Sequence, residues 1–142
     1  MEKYLNEAIQ LELNVAKLYM LFYIKLKINF WYELSIEEFN HASLLKTAKT
    51  FLNNNIDVSD LVDKTITNQI IEFNKLFTDL EEDFLSDPTL EKSKEIGIFI
   101  ENSAAESHYQ SVMSIITDSK IMKIFQQLNK DDKDHLQKIQ EL

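Results

Sequence analysis

Apolar residues recur at three- and four-residue spacing along nearly the whole chain, and four of the resulting stripes carry a carboxylate near the middle: Glu12, Glu38, Glu101 and Asp132. The spacing predicts amphipathic helices, and an amphipathic helix keeps its charges on the wet face. A carboxylate inside an apolar stripe is taken out of water, so it must be protonated, paired or bound to a metal. Ordinary partners are scarce. The 15 basic residues are all Lys, Arg is absent, and no Lys occupies a stripe position beside these carboxylates.

Two of the four carboxylates are followed by a histidine three residues on, in Glu38-Phe39-Asn40-His41 and Asp132-Lys133-Asp134-His135. That spacing puts carboxylate and imidazole on one helical face, about one turn apart, where both can converge on one ion. Four carboxylates and two neutral histidines carry a charge that two divalent cations cancel. Carboxylate–imidazole sites suit Fe(II), Mn(II) or Zn(II), and open positions favour redox iron. The order repeats along the chain: lone Glu12 precedes the Glu38/His41 pair, and lone Glu101 precedes the Asp132/His135 pair. Each lone Glu has a tyrosine about two turns further on, Tyr19 and Tyr109. Two helix pairs so related can face each other across a pseudo-twofold site.

Five helices are expected: from about Lys3 to Lys27, from about Asn29 to Leu52, one carrying Ile66, Ile70, Phe73, Phe77, Leu80 and Phe84, one from about Thr89 to Ile116, and one from Ile121 to Leu142. The junction near Ile28-Asn29 is weakly marked. Asn53-Asn54-Asn55 reads as a helix stop, Ser59-Asp60 and Thr117-Asp118-Ser119 as caps, and Pro88 as a break and restart. The inner stripe of the fourth helix is read as Ile98, Glu101, Ala105, His108, Val112 and Ile115. The 142 residues are expected to form one domain (1–142), large enough for a core without staples.

Composition removes other classes of function. One Gly and one Pro argue against Gly-rich phosphate loops and an all-β fold, and zero Cys excludes thiolate metal sites within the chain. A net charge of -9 opposes binding to nucleic-acid phosphates. The longest apolar run, Leu18 to Ile24, is too short to span a bilayer, and no secretory leader is evident, so a cytoplasmic location is expected. That run reads either as a contact for the third helix or as a subunit interface.

With these residues in place, the sequence resembles the ferritin-like di-iron carboxylate superfamily, whose bundles take one Glu from each of two helices and a Glu-x-x-His from each of the others. Phe30 to Ala42, with Glu38 and His41, resembles the second helix of rubrerythrins. Glu12 to Tyr19 resembles the first helix of rubrerythrins and bacterioferritins, and Glu101 to Tyr109 the third bundle helix of rubrerythrin. The resemblance implies an all-α, ferritin-like four-helix bundle with an additional helix in the long crossover. It implies two iron ions, with Mn or Zn as alternatives, held by Glu12, Glu38, His41, Glu101, Asp132 and His135. In that set Glu12 and Glu101 are the more terminal ligands, Glu38 and Asp132 bridge, and Tyr19 and Tyr109 hydrogen-bond ligand carboxylates.

Departures from the family pattern shape the expectation. Asp132 stands where the family usually has Glu, which leaves open whether it bridges or serves one metal. Ala104 replaces an extra rubrerythrin Glu. Phe39 stands where bacterioferritin has its haem-ligating Met, so no haem is expected. Without Cys there is no rubredoxin-like iron domain, so electrons must come from an external donor, rubredoxin-like or other. His108 is open between a hydrogen-bonded core histidine and an added donor or ligand. Glu37 and Glu106 read as solvated or rim residues. The implied activity is a rubrerythrin-like peroxidase or ferroxidase using peroxide or oxygen, and a homodimer is expected. Iron storage or delivery, a non-redox Zn or Mn module, and an oxidase acting on an organic substrate are the alternatives.

Overall fold

Helix α1 (Glu2–Leu26) turns Tyr4, Leu5, Ala8, Val15, Ala16, Tyr19 and Phe22 inward, with Glu12 among them. It ends where Lys27 takes a left-handed conformation (φ 59°) and its N–H donates to the Tyr23 carbonyl. A glycine usually marks that position; a lysine there explains the faint junction in the sequence. The chain then reverses into α2 (Asn29–Asn53), which packs along α1. The computed structural model describes residues 2–53, 64–105, 108–116 and 119–142, without the side chains of Asn53, Ala104 and Ala105. The expected stop at Asn53-Asn54-Asn55, the caps at Ser59-Asp60 and Thr117-Asp118, and Glu106 lie outside the described residues or side chains.

The crossover carries two helices where the apolar spacing predicted one. Helix α3 (Lys64–Asn74) and helix α4 (Phe77–Ser86) are separated by a tight turn in which Lys75 and Leu76 donate to the carbonyls of Glu72 and Phe73. The apolar rhythm runs through the turn, so periodicity alone did not reveal it. At the turn, the Asn74 amide donates to the Glu7 carbonyl and accepts from Asn14, which ties the crossover to α1. Phe84 of α4 packs on Phe22 of α1 with ring centroids 4.5 Å apart. The inner side of the Leu18–Ile24 run therefore meets the crossover, while Ile24 is 50% exposed.

After Pro88, the Thr89 hydroxyl accepts from the Lys92 N–H and caps α5 (Leu90–Ala105). Helix α6 (His108–Met113) continues the third leg, and α7 (Ser119–Glu141) forms the fourth. Helices α5 and α6 pack on α7, and α7 closes on α2. The fourfold arrangement of α1, α2, α5–α6 and α7 is the ferritin-like bundle, all helical among the described residues. One expected stripe shifts. Ser93, Ile96, Ile100 and Glu101 are buried on α5, whereas Ile98 is only partly so. The inward face passes through Gly97, where an added Cβ would lie 3.1 Å from both Trp31 and Ile139. No described helix is long and apolar enough to cross a membrane.

Candidate metal centre

The bundle brings all six predicted residues into its interior. Glu12 comes from α1, Glu38 and His41 from α2, Glu101 from α5, and Asp132 and His135 from α7, and none is more than 4% exposed. Glu38, His41, Asp132 and His135 form one cluster, with a donor atom from each lying within 4.8 Å of the others. Glu38 is its hub. One carboxylate oxygen lies 2.9 Å from His41 Nδ1 and the other 2.9 Å from His135 Nδ1. The two imidazoles stack nearly parallel, 17° apart, with centroids separated by 5.3 Å.

Glu12 and Asp132 each place an oxygen 3.7 Å from His41 Nδ1. Asp132 thus approaches one histidine where Glu38, with its extra methylene, reaches both. Glu101 sits to the side of the cluster and accepts a hydrogen bond from Tyr19 at 2.6 Å. Tyr109 donates to Glu12. Each tyrosine therefore holds the lone Glu of the opposite half of the bundle, a crossing that spans 82 and 97 residues of sequence.

The histidines are held by a second crossing. His41 Nε2 lies 3.3 Å from Asp131 on α7, and His135 Nε2 lies 2.6 Å from Glu37 on α2. Glu37 has a 43% exposed side chain, as expected of a rim residue, but it also makes this contact. The residue before each helix's cluster carboxylate reaches the histidine of the facing helix. Carboxylates bound to the outer nitrogen fix ring orientation and tautomer, and direct Nδ1 into the site. Sequence spacing gave no sign of these partners, because position i−1 points well away from the stripe.

The electrostatics mark the pocket as short of cations. Burial, then the negative charge of Glu38, pushes Glu12 up to about 7 and Glu101 up to about 8. Burial and the charges of Glu12, Glu38 and Glu101 also push Asp132 well above the usual carboxylate range. Burial acts to raise Glu38 too, but hydrogen bonds from His135 and His41 overcome it and hold Glu38 below that range. Burial would lower both histidines. Their carboxylate partners prevail, lifting His41 to about 12 and His135 to about 9. Protons thus occupy the positions that cations would take, and no described Lys pairs with the four buried carboxylates. Oxygen and imidazole donors converging around unmet negative charge fit divalent metal binding.

His108 lies apart from the cluster. It is 2% exposed and its Nδ1 lies 2.9 Å from the Tyr4 hydroxyl. Burial lowers it to about 3, so it is neutral.

Fold and donor set define a ferritin-like carboxylate–imidazole protein. The rubrerythrin family model matches residues 3–142, so the chain belongs to the rubrerythrin family. Neither a curated protein nor a solved structure matches it significantly. The zero Cys count leaves no rubredoxin-type iron site within these residues.

Proposed function

We propose that this protein is a non-haem di-iron oxidoreductase that oxidises Fe(II) with peroxide or oxygen, serving peroxide defence or iron handling. The observation that carries the reading is Glu38, whose two oxygens each face one histidine Nδ1 at 2.9 Å inside a ring of buried carboxylates. Glu12, Glu38, His41, Glu101, Asp132 and His135 hold the iron. Bound there as a pair, iron would supply two electrons, which together with two protons from solvent take one peroxide to two waters.

The chain's own residues provide the setting. Tyr19 and Tyr109 orient the Glu101 and Glu12 carboxylates through hydrogen bonds. Glu37 and Asp131 keep a proton on the outer nitrogens of His135 and His41, leaving the Nδ1 lone pairs for metal. Burial keeps bulk water from the donor atoms and strengthens each of these interactions. A separate protein, rubredoxin-like or another carrier, returns the electrons. A homodimer in the cytoplasm completes the proposal.

Anaerobic Fe(II) loading followed by stopped-flow oxidation tests it. Two irons per chain, oxidised faster by peroxide than by oxygen, is the expected result. Failure to take up iron, or unchanged uptake in the Glu38→Ala/His135→Ala double variant, would overturn it.

A further inference from the structure

Between the first turns of α2 and the last turns of α7 lies a surface cleft of about 300 Å³. Phe30 and Leu34 form its apolar floor. Glu33, Glu37, Glu141 and Lys138 stand around it, so three acids face one base. Glu33 and Glu141 are exposed, and their carboxylates meet the neutral amides of Asn29 and Gln137 on their own helices. No described lysine pairs with either. The cleft is therefore short of positive charge at the surface.

Two routes join this cleft to the candidate centre. The first passes through one residue. Glu37 lines the cleft, and its carboxylate lies 2.6 Å from His135 Nε2, the outer nitrogen of a buried ring whose Nδ1 faces Glu38. The second route is aromatic. Phe30 packs edge-on against Trp31 with centroids 5.1 Å apart, Trp31 packs on Tyr19 at 5.1 Å, and Tyr19 donates to Glu101 at 2.6 Å. Trp31 and Tyr19 are both fully buried, so this route runs inside the core. Electronic coupling falls off far more slowly through hydrogen bonds and packed rings than through open space. The cleft is thus coupled to two residues of the donor set at once, His135 and Glu101.

We infer that the cleft is the docking site of the electron carrier, a one-electron redox protein that presents a lysine- or arginine-rich face. The inference rests on the di-iron reading for the electron's destination and names the kind of partner that reading requires. Acids around the cleft steer a basic face toward it. The apolar floor accepts the aliphatic stem of a docked Lys or Arg while Glu33 and Glu141 hold its charged head. Electron-transfer encounters bury little surface, less than about 1,200 Å² in all, so one cleft and its rim suffice. Each encounter passes one electron inward and the oxidised carrier leaves. Two encounters replace the two electrons that one peroxide consumes.

The test uses the full chain with zinc-porphyrin cytochrome c, a lysine-rich carrier whose photoexcited state is a strong one-electron donor. The first arm is NMR at low salt, with the protein zinc-loaded where it takes up metal. Amide shifts should centre on residues 30–37 and 138–142 and fade as salt rises. Glu33→Gln/Glu141→Gln should weaken binding roughly three- to tenfold, and Lys138→Gln should tighten it. Glu81→Gln/Glu82→Gln removes the same charge from α4, which packs on α1 and α5, and should change binding much less. The second arm follows the excited-state lifetime. Protein holding oxidised iron should quench it, zinc-loaded protein should not, and Glu33→Gln/Glu141→Gln should slow the quenching. Shifts spread evenly over the acidic surface, or equal weakening by the two double variants, would overturn the docking site. Local shifts without quenching by the iron form would overturn electron entry there. A chain that takes up no iron fails the di-iron reading, whereas the NMR arm needs no iron and decides the docking site by itself.

Discussion

Glu37 on α2 holds His135 on α7, its carboxylate 2.6 Å from Nε2, although the two residues are 98 positions apart. Lys138 lies 3.8 Å from the same carboxylate at the protein surface. The contact therefore links a fully buried imidazole to a solvent-facing acid. Removing it should loosen the ring whose other nitrogen faces Glu38. We expect Glu37→Ala to weaken metal binding about 10- to 100-fold, the range typical of such outer partners. Glu37→Gln keeps an acceptor oxygen without the charge and should recover much of that loss. Competition titration against a chelator measures both. Equal affinities of Glu37→Ala and the parent protein would remove Glu37 from any positioning role.

Tyr19 and Tyr109 make the other crossing, and their loss should be felt before any metal is added. Each is fully buried and donates to a buried Glu. Phe at either position removes the donor and strands the acceptor, which should cost about 1–3 kcal/mol in denaturant melts of the metal-free protein. Tyr19→Phe has a further signature. The Tyr19 hydrogen bond lowers Glu101, which burial and Glu38 hold up at about 8. Without it Glu101 binds its proton more tightly. Metal uptake should then require higher pH than in the parent, seen as a rightward shift of the affinity–pH curve.

The buried charges set the sign of the pH response. Glu12 and Glu101 rise on folding to about 7 and about 8, so the folded protein keeps protons that the unfolded chain releases. Metal-free stability therefore falls as pH rises from about 4.5 through these values. His41 and His135 add to the same trend. Their pKa values rise to about 12 and about 9, so their contribution is complete below about 6.5 and fades as pH climbs. In acid the trend reverses. Glu38 is lowered on folding, and so is His108, to about 3; both contributions are lost as pH falls toward the folded values. Metal-free protein should thus melt highest at mildly acidic pH and lower at pH 8. Metal replaces the protons, so loading should release protons and raise Tm more at pH 8 than at pH 5. Thermal melts with and without zinc at these pH values check the prediction; an opposite ordering would contradict it.

The stripes carried most of this architecture because burial and helical period coincide. Glu12, Glu38, His41, Asp132 and His135 fall in phase with their apolar neighbours, and all are buried. Two features were not visible for physical reasons, and a third was placed but only faintly marked. The break at Lys75-Leu76 preserves apolar phase, so periodicity passes over it. The turn at Lys27 fell where the sequence put it, and its mark was faint because the left-handed residue there is not glycine. Glu37 and Asp131 sit off the stripe, and their partners are supplied by helices that meet them only in the folded bundle. The inward face of α5 was read through Ile98 because local spacing favoured it. The packed bundle instead turns Ile96 and Ile100 inward.

That rotation of α5 depends on Gly97, the chain's single glycine. An Ala Cβ there would lie 3.1 Å from the Trp31 ring tip and from Ile139 Cδ1. Neither neighbour has room to yield. Trp31 and Ile139 are both 0% exposed, and Trp31 is boxed by Tyr19, Phe22 and Phe30 with centroids about 5 Å away. Overpacking a core by one methyl costs about 1–3 kcal/mol, while replacing a mid-helix Gly by Ala returns about 1 kcal/mol in propensity. Gly97→Ala should therefore lower stability by roughly 0–2 kcal/mol, and Gly97→Val, bulkier and β-branched, by more. The displacement should also reach the centre, because Trp31 packs on Tyr19, which holds Glu101. Weaker metal binding in Gly97→Ala, with the Glu38 histidine contacts untouched by mutation, would show that helix spacing at this glycine sets the position of Glu101. Unchanged affinity together with unchanged stability would show that Trp31 and Ile139 yield freely.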